Sequence, residues 1–280
     1  MSSGIVFHGA AAVAYALLAI LLWVRLARGA SIERSSNRLR GIFLIALVLH
    51  GIGLKLGMLP GGALFVGWSL ALSAAVWLGL LVFWLESLFV RIDGLQLFLL
   101  PAATLATALA ALWPQGTIVV HGDSTLLRAH LLIALAAYGL MTVAALQALL
   151  MALLERRLHR PLEAPAERTI VGRLLDSQPP LLVQERILFR VIAVGFITLT
   201  LAVGSGSFTS MMLTGQILPF DHKTVFTLLS WLTFGGLLLG RRIRGWRGQV
   251  ALRWTLTGFA FLLLAYTGTR FVLEVILHRS

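Results

Sequence analysis

Long apolar runs separated by short polar segments dominate the pattern of the chain. A helix of about 20 predominantly apolar residues crosses the hydrocarbon core of a bilayer, and a helix satisfies its own backbone there. The pattern therefore predicts an all-α fold, a polytopic membrane helix bundle of about eight transmembrane helices. The predicted spans are residues 4–26, 41–59, 64–89, 95–113, 126–154, 187–206, 224–239 and 250–277.

The polar segments between the spans are short, and none is a linker rich in Pro, Gly or Ser. We therefore expect residues 1–280 to form a single integral membrane domain. The longest polar segment, residues 155–185, carries several Arg and Pro residues and is predicted to be a cytoplasmic basic loop. The first span has no Lys or Arg ahead of it and no small-residue cleavage site, which favours a retained helix over a signal peptide.

Lys and Arg residues alternate between the loops. The loops after the first, third, fifth and seventh spans hold nearly all of them. Because cytoplasmic loops carry the excess of positive charge, this pattern predicts that both termini lie outside, N-out and C-out. Lys55, about one turn from the outer end of its span, is expected to snorkel outward.

The composition supports a membrane protein. The chain is 59% hydrophobic and 12% charged, whereas soluble domains carry about 25% charged residues. The net charge is +12. The Lys and Arg residues lie between the apolar runs and form no stripe with aromatic residues, which argues against nucleic acid as a partner. The expected location is the bacterial inner (plasma) membrane, with the lipid bilayer as the surroundings of a multi-pass protein.

Several chemistries are excluded or unsupported. The absence of Cys removes disulfides, thiolate metal sites and covalent Cys catalysis. A zinc hydrolase would have two His residues at i, i+4 beside a carboxylate, and the chain has no such pair. It also has no P-loop. Ser205, Ser207 and Ser210 lie in a Gly-rich segment, but nothing marks one of them as an activated nucleophile. We therefore predict no catalytic residue, and Gly204-Ser205-Gly206 is interpreted as a small-residue span end.

The histidines are concentrated toward the predicted outer face. An ionisable group inside a span is costly and indicates a function, which makes the mid-span His50 informative, and His130 lies about one helical turn below the surface. Neutral imidazoles are good axial ligands of haem iron, and two of them from different helices can hold the iron from both faces. Lys223 and Arg128 stand near the surface, where haem propionates need cations. The histidines near that face are His8, His121, His130, His222 and His278.

Five stretches of the chain resemble one known family. They are similar to membrane proteins of cytochrome c assembly, the CcsA/CcmC-type haem-handling proteins, and most of all to the YpjD-like and HemX-like branch. Residues 127–280 carry most of the resemblance. The stretches are Leu49-His50-Gly51, Arg128-Ala129-His130-Leu131, Gln184-Glu185-Arg186-Ile187-Leu188-Phe189-Arg190, Asp221-His222-Lys223 and Gly245-Trp246-Arg247-Gly248.

The resemblance implies a cytochrome c assembly or biogenesis protein that binds or handles haem in the outer half of the bundle. His130 is then the first choice as axial ligand of the haem iron and His50 the second. His222 is a further ligand candidate, and Asp221 and Lys223 would orient or pair at the mouth of the site. Haem is the implied cofactor, and other assembly proteins or an apocytochrome c are the implied partners.

The chain also departs from the family pattern. Phe220 stands where the family has a Trp before Asp221, residues 207–218 contain no Trp, and the family's histidine near the end of the penultimate helix falls near Gly240. These departures keep two alternatives open: a non-catalytic membrane scaffold or regulator that has lost the haem site, and a small-molecule or lipid carrier. For Asp221 and Lys223 the alternative role is a helix N-cap and an interfacial anchor.

Overall fold

The structure, a computed structural model, describes residues 2–28, 37–88, 95–119, 121–158, 180–217 and 221–265. These residues form eight α-helices and one two-stranded antiparallel ribbon. The strands are β1 (Phe65–Val66) and β2 (Thr117–Ile118). The helices are α1 (Ser2–Ala27), α2 (Asn37–Met58), α3 (Trp68–Ser87), α4 (Gln96–Leu112), α5 (Thr125–Leu158), α6 (Leu181–Thr214), α7 (His222–Arg244) and α8 (Gly248–Leu263).

Each predicted span overlaps a helix, so the predicted helical membrane bundle is confirmed. The third predicted span, residues 64–89, begins too early, because β1 occupies Phe65–Val66 and α3 begins at Trp68. Six of the helices are long and apolar enough to cross a membrane, and α4 is a shorter apolar helix. The predicted sixth span, residues 187–206, is too short, because α6 runs from Leu181 to Thr214. Its additional turns contain Gln, Glu, Arg and Ser residues, and a helix can continue through such residues beyond the hydrocarbon core.

The predicted basic loop at residues 155–185 is shortened from both sides, since α5 continues to Leu158 and α6 begins at Leu181. Residues 159–179 lie outside the described part of the chain. Residues 266–280 also lie outside it, so the outward C-terminus stays a prediction, as does the outward N-terminus.

The helices form two four-helix groups. In the first group, α1 and α3 each pack against α2 and α4. In the second group, α5 and α7 each pack against α6 and α8. The main contact between the groups is that of α3 with α5, where Gly79 faces Gly139. Small residues at such a crossing let the two backbones approach closely.

Two loops cover one end of the bundle, which we call the cavity end because a cavity lies there. The α2–α3 loop contributes β1 and the α4–α5 loop contributes β2, and the strands pair with Phe65 opposite Ile118. Arg128, in the first turn of α5, ties the loops together: its Nε donates to the carbonyl of Gly122 at 2.6 Å and its Nη2 to that of Gly62 at 2.9 Å. The start of α5 is thereby held beside both loops.

Candidate functional site

A cavity of about 510 Å³ lies at the cavity end, where the two helix groups meet. Residues from α2, α3, α5, α6, α7, α8 and the α2–α3 loop line it, so it spans the junction of the groups. Most of the lining is apolar. Its walls include Leu54, Met58, Leu64, Val66, Leu72, Trp77, Leu78, Leu131, Leu135, Tyr138, Leu199 and Val203.

Three cationic side chains and one imidazole line the same cavity. Lys55 comes from α2, Arg128 and His130 from α5, and Lys223 from the first turn of α7. Asp and Glu are absent from the residues that the structure places along the cavity wall. The cavity therefore combines apolar walls with net positive charge, a combination that suits an apolar molecule carrying anionic groups.

His130 is half-buried between α5 and α6. Its Nδ1 lies 3.0 Å from the hydroxyl oxygen of Ser205, and its Cε1 stands over Gly206, 2.9 Å from where a Cβ would be. The ring also hydrogen-bonds the backbone of Ala202 on α6, and His130 borders the cavity. A neutral imidazole in this setting has one ring nitrogen held by the protein and the other available to a ligand.

His50 lies in a different environment, between α1, α2 and α3. It is 0% exposed, with Nε2 at 2.8 Å from Ser73 Oγ and Nδ1 at 3.4 Å from the hydroxyl of Tyr15. The ring of His8 lies 5.8 Å away, centre to centre. His50 is not among the residues that line the cavity, so the structure does not bring the two predicted iron ligands to one site.

The stretch Asp221-His222-Lys223 has separate roles in the structure. Asp221 is the N-cap of α7, and its carboxylate accepts the backbone N–H of Thr224 at 2.8 Å. Partial burial raises the pKa of this carboxyl, but the hydrogen bonds from Thr224 and the charge of Lys223 outweigh it and hold the pKa below its usual range. His222 is exposed and is not among the cavity-lining residues, whereas Lys223 is one of them. Phe220 lies outside the described residues.

Gly240, near the opposite end of α7, is covered by an aromatic pair. The indole of Trp246 lies directly on Gly240, so that an added Cβ would fall among the indole atoms. Trp246 in turn packs against Trp254 of α8, with ring centres 4.9 Å apart. The histidine that the resemblance implies near this position would therefore collide with the indole of Trp246.

The sequence pattern does not predict that Lys55 and Ser205 lie in the cavity region. Lys55, predicted to snorkel outward, is exposed and also lines the cavity. Ser205 contacts His130 across 75 residues of chain, and no local pattern signals such a contact. The positions of Lys55 and Ser205 depend on how the helices pack.

A comparison with protein families matches residues 36–277 to the cytochrome c assembly protein family. The chain is 29% identical to the inner membrane protein YpjD of Escherichia coli K12, over 83% of this chain and 85% of that protein. It is 31% identical to an uncharacterized 28.8 kDa protein in the nifR3-like 5' region of Azospirillum brasilense, over 75% and 78%.

A more distant match is to the cytochrome c biogenesis protein CcsA of Trichodesmium erythraeum, at 29% identity over 36% of this chain and 26% of that protein. The inner-membrane name of the Escherichia coli relative and the six apolar helices agree with the predicted location, a multi-pass protein of the bacterial inner membrane. The family match covers most of the chain and confirms the resemblance. The chain is a member of the cytochrome c assembly protein family.

Proposed function

We propose that this chain binds haem in the cavity and handles it as a cytochrome c assembly-type protein, with His130 as axial ligand of the iron. The observation that carries the proposal is the position of His130. Its Nδ1 is held by Ser205, and its ring borders an apolar cavity that three cations also line. Haem, when bound, supplies an iron that takes an imidazole nitrogen as axial ligand.

The size and lining of the cavity fit such a molecule. Pockets for small molecules and cofactors occupy roughly 300–1,000 Å³ and are mostly apolar with few polar groups, and this cavity measures about 510 Å³. Trp77 and Tyr138 offer aromatic surface among the aliphatic walls. The apolar walls would cover the porphyrin and keep water from the iron.

The cations would hold the propionates of haem. Lys55 and Lys223 would take this role together with Arg128, whose Nε and Nη2 donate to loop carbonyls. The two lysines approach the cavity from α2 and α7, which lie in different helix groups. In this proposal Asp221 fixes the first turn of α7 and thereby the position of Lys223, while His222 remains an additional ligand candidate at the mouth.

His50 has a structural role in this proposal. Both of its ring nitrogens face polar groups of α1 and α3, and it is fully buried away from the cavity lining. The partners that we propose follow from the family and from relatives named for cytochrome c biogenesis: an apocytochrome c, or other assembly proteins, would receive the haem.

A second candidate is a membrane scaffold or regulator without haem. The packing of Trp246 on Gly240 favours it, because it excludes a histidine where the family carries one. A third is a carrier of another anionic amphiphile, which would use the same walls and cations without using the imidazole.

Titration of the purified protein with haem and with haem dimethyl ester separates these functions. We expect both to bind with a Soret shift in the parent protein. Lys55→Gln and Lys223→Gln should each weaken haem binding up to about fivefold, as the loss of a partly exposed ion pair would, and leave the uncharged ester unaffected. Binding unchanged in His130→Ala would support the amphiphile carrier, and absence of binding in the parent would support the scaffold.

A further inference from the structure

The Gly204-Ser205-Gly206 segment, predicted to be a span end, lies in the interior of α6, and its Ser205 and Gly206 contact His130. We infer that Ser205 is a positioning residue, which keeps the proton of His130 on Nδ1 and leaves Nε2 as the nitrogen that binds a ligand. This inference deepens the proposed function, and its ligand-binding part rests on that function. The position of the proton does not depend on it.

Two hydrogen bonds define the arrangement. The hydroxyl of Ser205 donates to the carbonyl of Ala202 on its own helix at 3.2 Å, and a serine hydroxyl has only one proton to give. Its oxygen, 3.0 Å from Nδ1 of His130, then acts as the acceptor for an Nδ1–H. Because neutral imidazole carries one N–H, Nε2 keeps its lone pair.

Gly206 limits where the imidazole ring of His130 can lie. An added Cβ at this residue would stand 2.9 Å from Cε1 of His130 and 3.5 Å from each ring nitrogen. The ring therefore lies over the glycine in van der Waals contact, and it fits only because residue 206 has no side chain. Ser205 and Gly206 together set the tautomer and the position of the imidazole.

A histidine that binds a metal usually has a hydrogen-bond acceptor for its other ring nitrogen. A ligating imidazole generally donates its other N–H to a fixed acceptor, and loss of that acceptor lowers affinity about 10- to 100-fold. Ser207, two residues further on, provides a matched control, because its hydroxyl bonds the carbonyl of Val203 on its own helix at 3.0 Å.

The tautomer is tested without haem by ¹⁵N NMR of histidine-labelled protein, with the His130 signals assigned from their loss in His130→Ala. We expect the Nδ1-protonated tautomer in the parent and in Ser207→Ala, and a shift toward the Nε2-protonated tautomer in Ser205→Ala. An Nε2-protonated His130 in the parent, or the same tautomer in the parent and in Ser205→Ala, would overturn the inference.

Haem titration tests the ligand-binding part. Ser205→Ala should bind haem about 10-fold more weakly and with a changed midpoint potential, Ser205→Thr should restore both toward the parent values, and Ser207→Ala should leave them unchanged. Equal affinity and potential in Ser205→Ala and the parent would refute the positioning role. Failure of the parent to bind haem would instead refute the proposed function, with the NMR result still deciding the tautomer.

Discussion

Gly79 of α3 and Gly139 of α5 meet backbone to backbone. A Cβ added at Gly79 would stand 2.9 Å from the carbonyl oxygen of Gly139, and one added at Gly139 would stand 2.7 Å from the amide nitrogen of Gly79. This contact joins the two helix groups, and α3 and α5 are also two of the elements that line the cavity. The close approach of these two backbones therefore determines the spacing of two walls of the cavity.

We expect Gly139→Ala to destabilise the protein by about 1–3 kcal/mol, the usual cost of overpacking a well-packed interface. The added methyl would collide with backbone atoms of α3, which cannot rotate away. Gly9→Ala is the control, because a Cβ there meets nothing within 4 Å. Unfolding by SDS titration in detergent measures the difference, and equal stability of the two variants would show that α3 and α5 do not approach as described.

Ser73 is expected to stabilise the bundle through His50. Ser73→Ala removes the hydroxyl at 2.8 Å from Nε2 and leaves a buried polar atom unpaired, which costs about 1–3 kcal/mol. Tyr15→Phe should cost less, because its hydroxyl is 3.4 Å from Nδ1. The same SDS titration applies, with Ser207→Ala as the control for loss of a serine hydroxyl. If Tyr15→Phe proved the more damaging variant, the assigned partners of His50 would be wrong.

The sequence predicted the helices well and the site only in part. Long apolar runs determine where helices form in a bilayer, so each span is matched by a helix, and the polar ends of α6 were missed because hydropathy does not detect a helix that leaves the hydrocarbon core. The histidine pattern pointed to His130 and His50 together. It could not separate them, because burial among Tyr15 and Ser73 depends on how α1, α2 and α3 pack.

Asp221 gives a prediction for acidic pH. Because the folded-state pKa lies below the usual value, its contribution to stability is present above the ordinary aspartate pKa of about 3.9 and is lost as the pH falls through the folded-state pKa. Asp221→Asn, which still caps the helix, should remove this part of the acid dependence. Asp221→Ala should also lose about 1 kcal/mol at neutral pH.

Thermal unfolding of the three proteins between pH 7 and pH 3 checks this pattern. The parent should be slightly more stable than Asp221→Asn at pH 7 and should lose this margin toward pH 3, whereas Asp221→Ala should be less stable than both at pH 7. An acid dependence in Asp221→Asn as steep as that of the parent would mean that the carboxylate of Asp221 contributes nothing as an N-cap.

Gly240→His tests whether Trp246 occupies the space of a side chain at residue 240, where the resemblance implies a histidine. We expect the single variant to be destabilised by about 1–3 kcal/mol, because the imidazole collides with the indole. In the Trp246→Ala background the same substitution should cost much less, since the indole is gone. A double-mutant cycle of unfolding free energies measures the coupling, and additive effects would contradict the contact.

Absorption spectroscopy of the protein purified in detergent from haem-replete cells tests the central claim most directly. The parent should show a Soret band, and His130→Ala should lose most of it. His50→Ala should show a Soret band at the same wavelength as the parent, and the stability of the protein should be lower. A parent protein without a Soret band, or a band unchanged in His130→Ala, would contradict haem binding through His130.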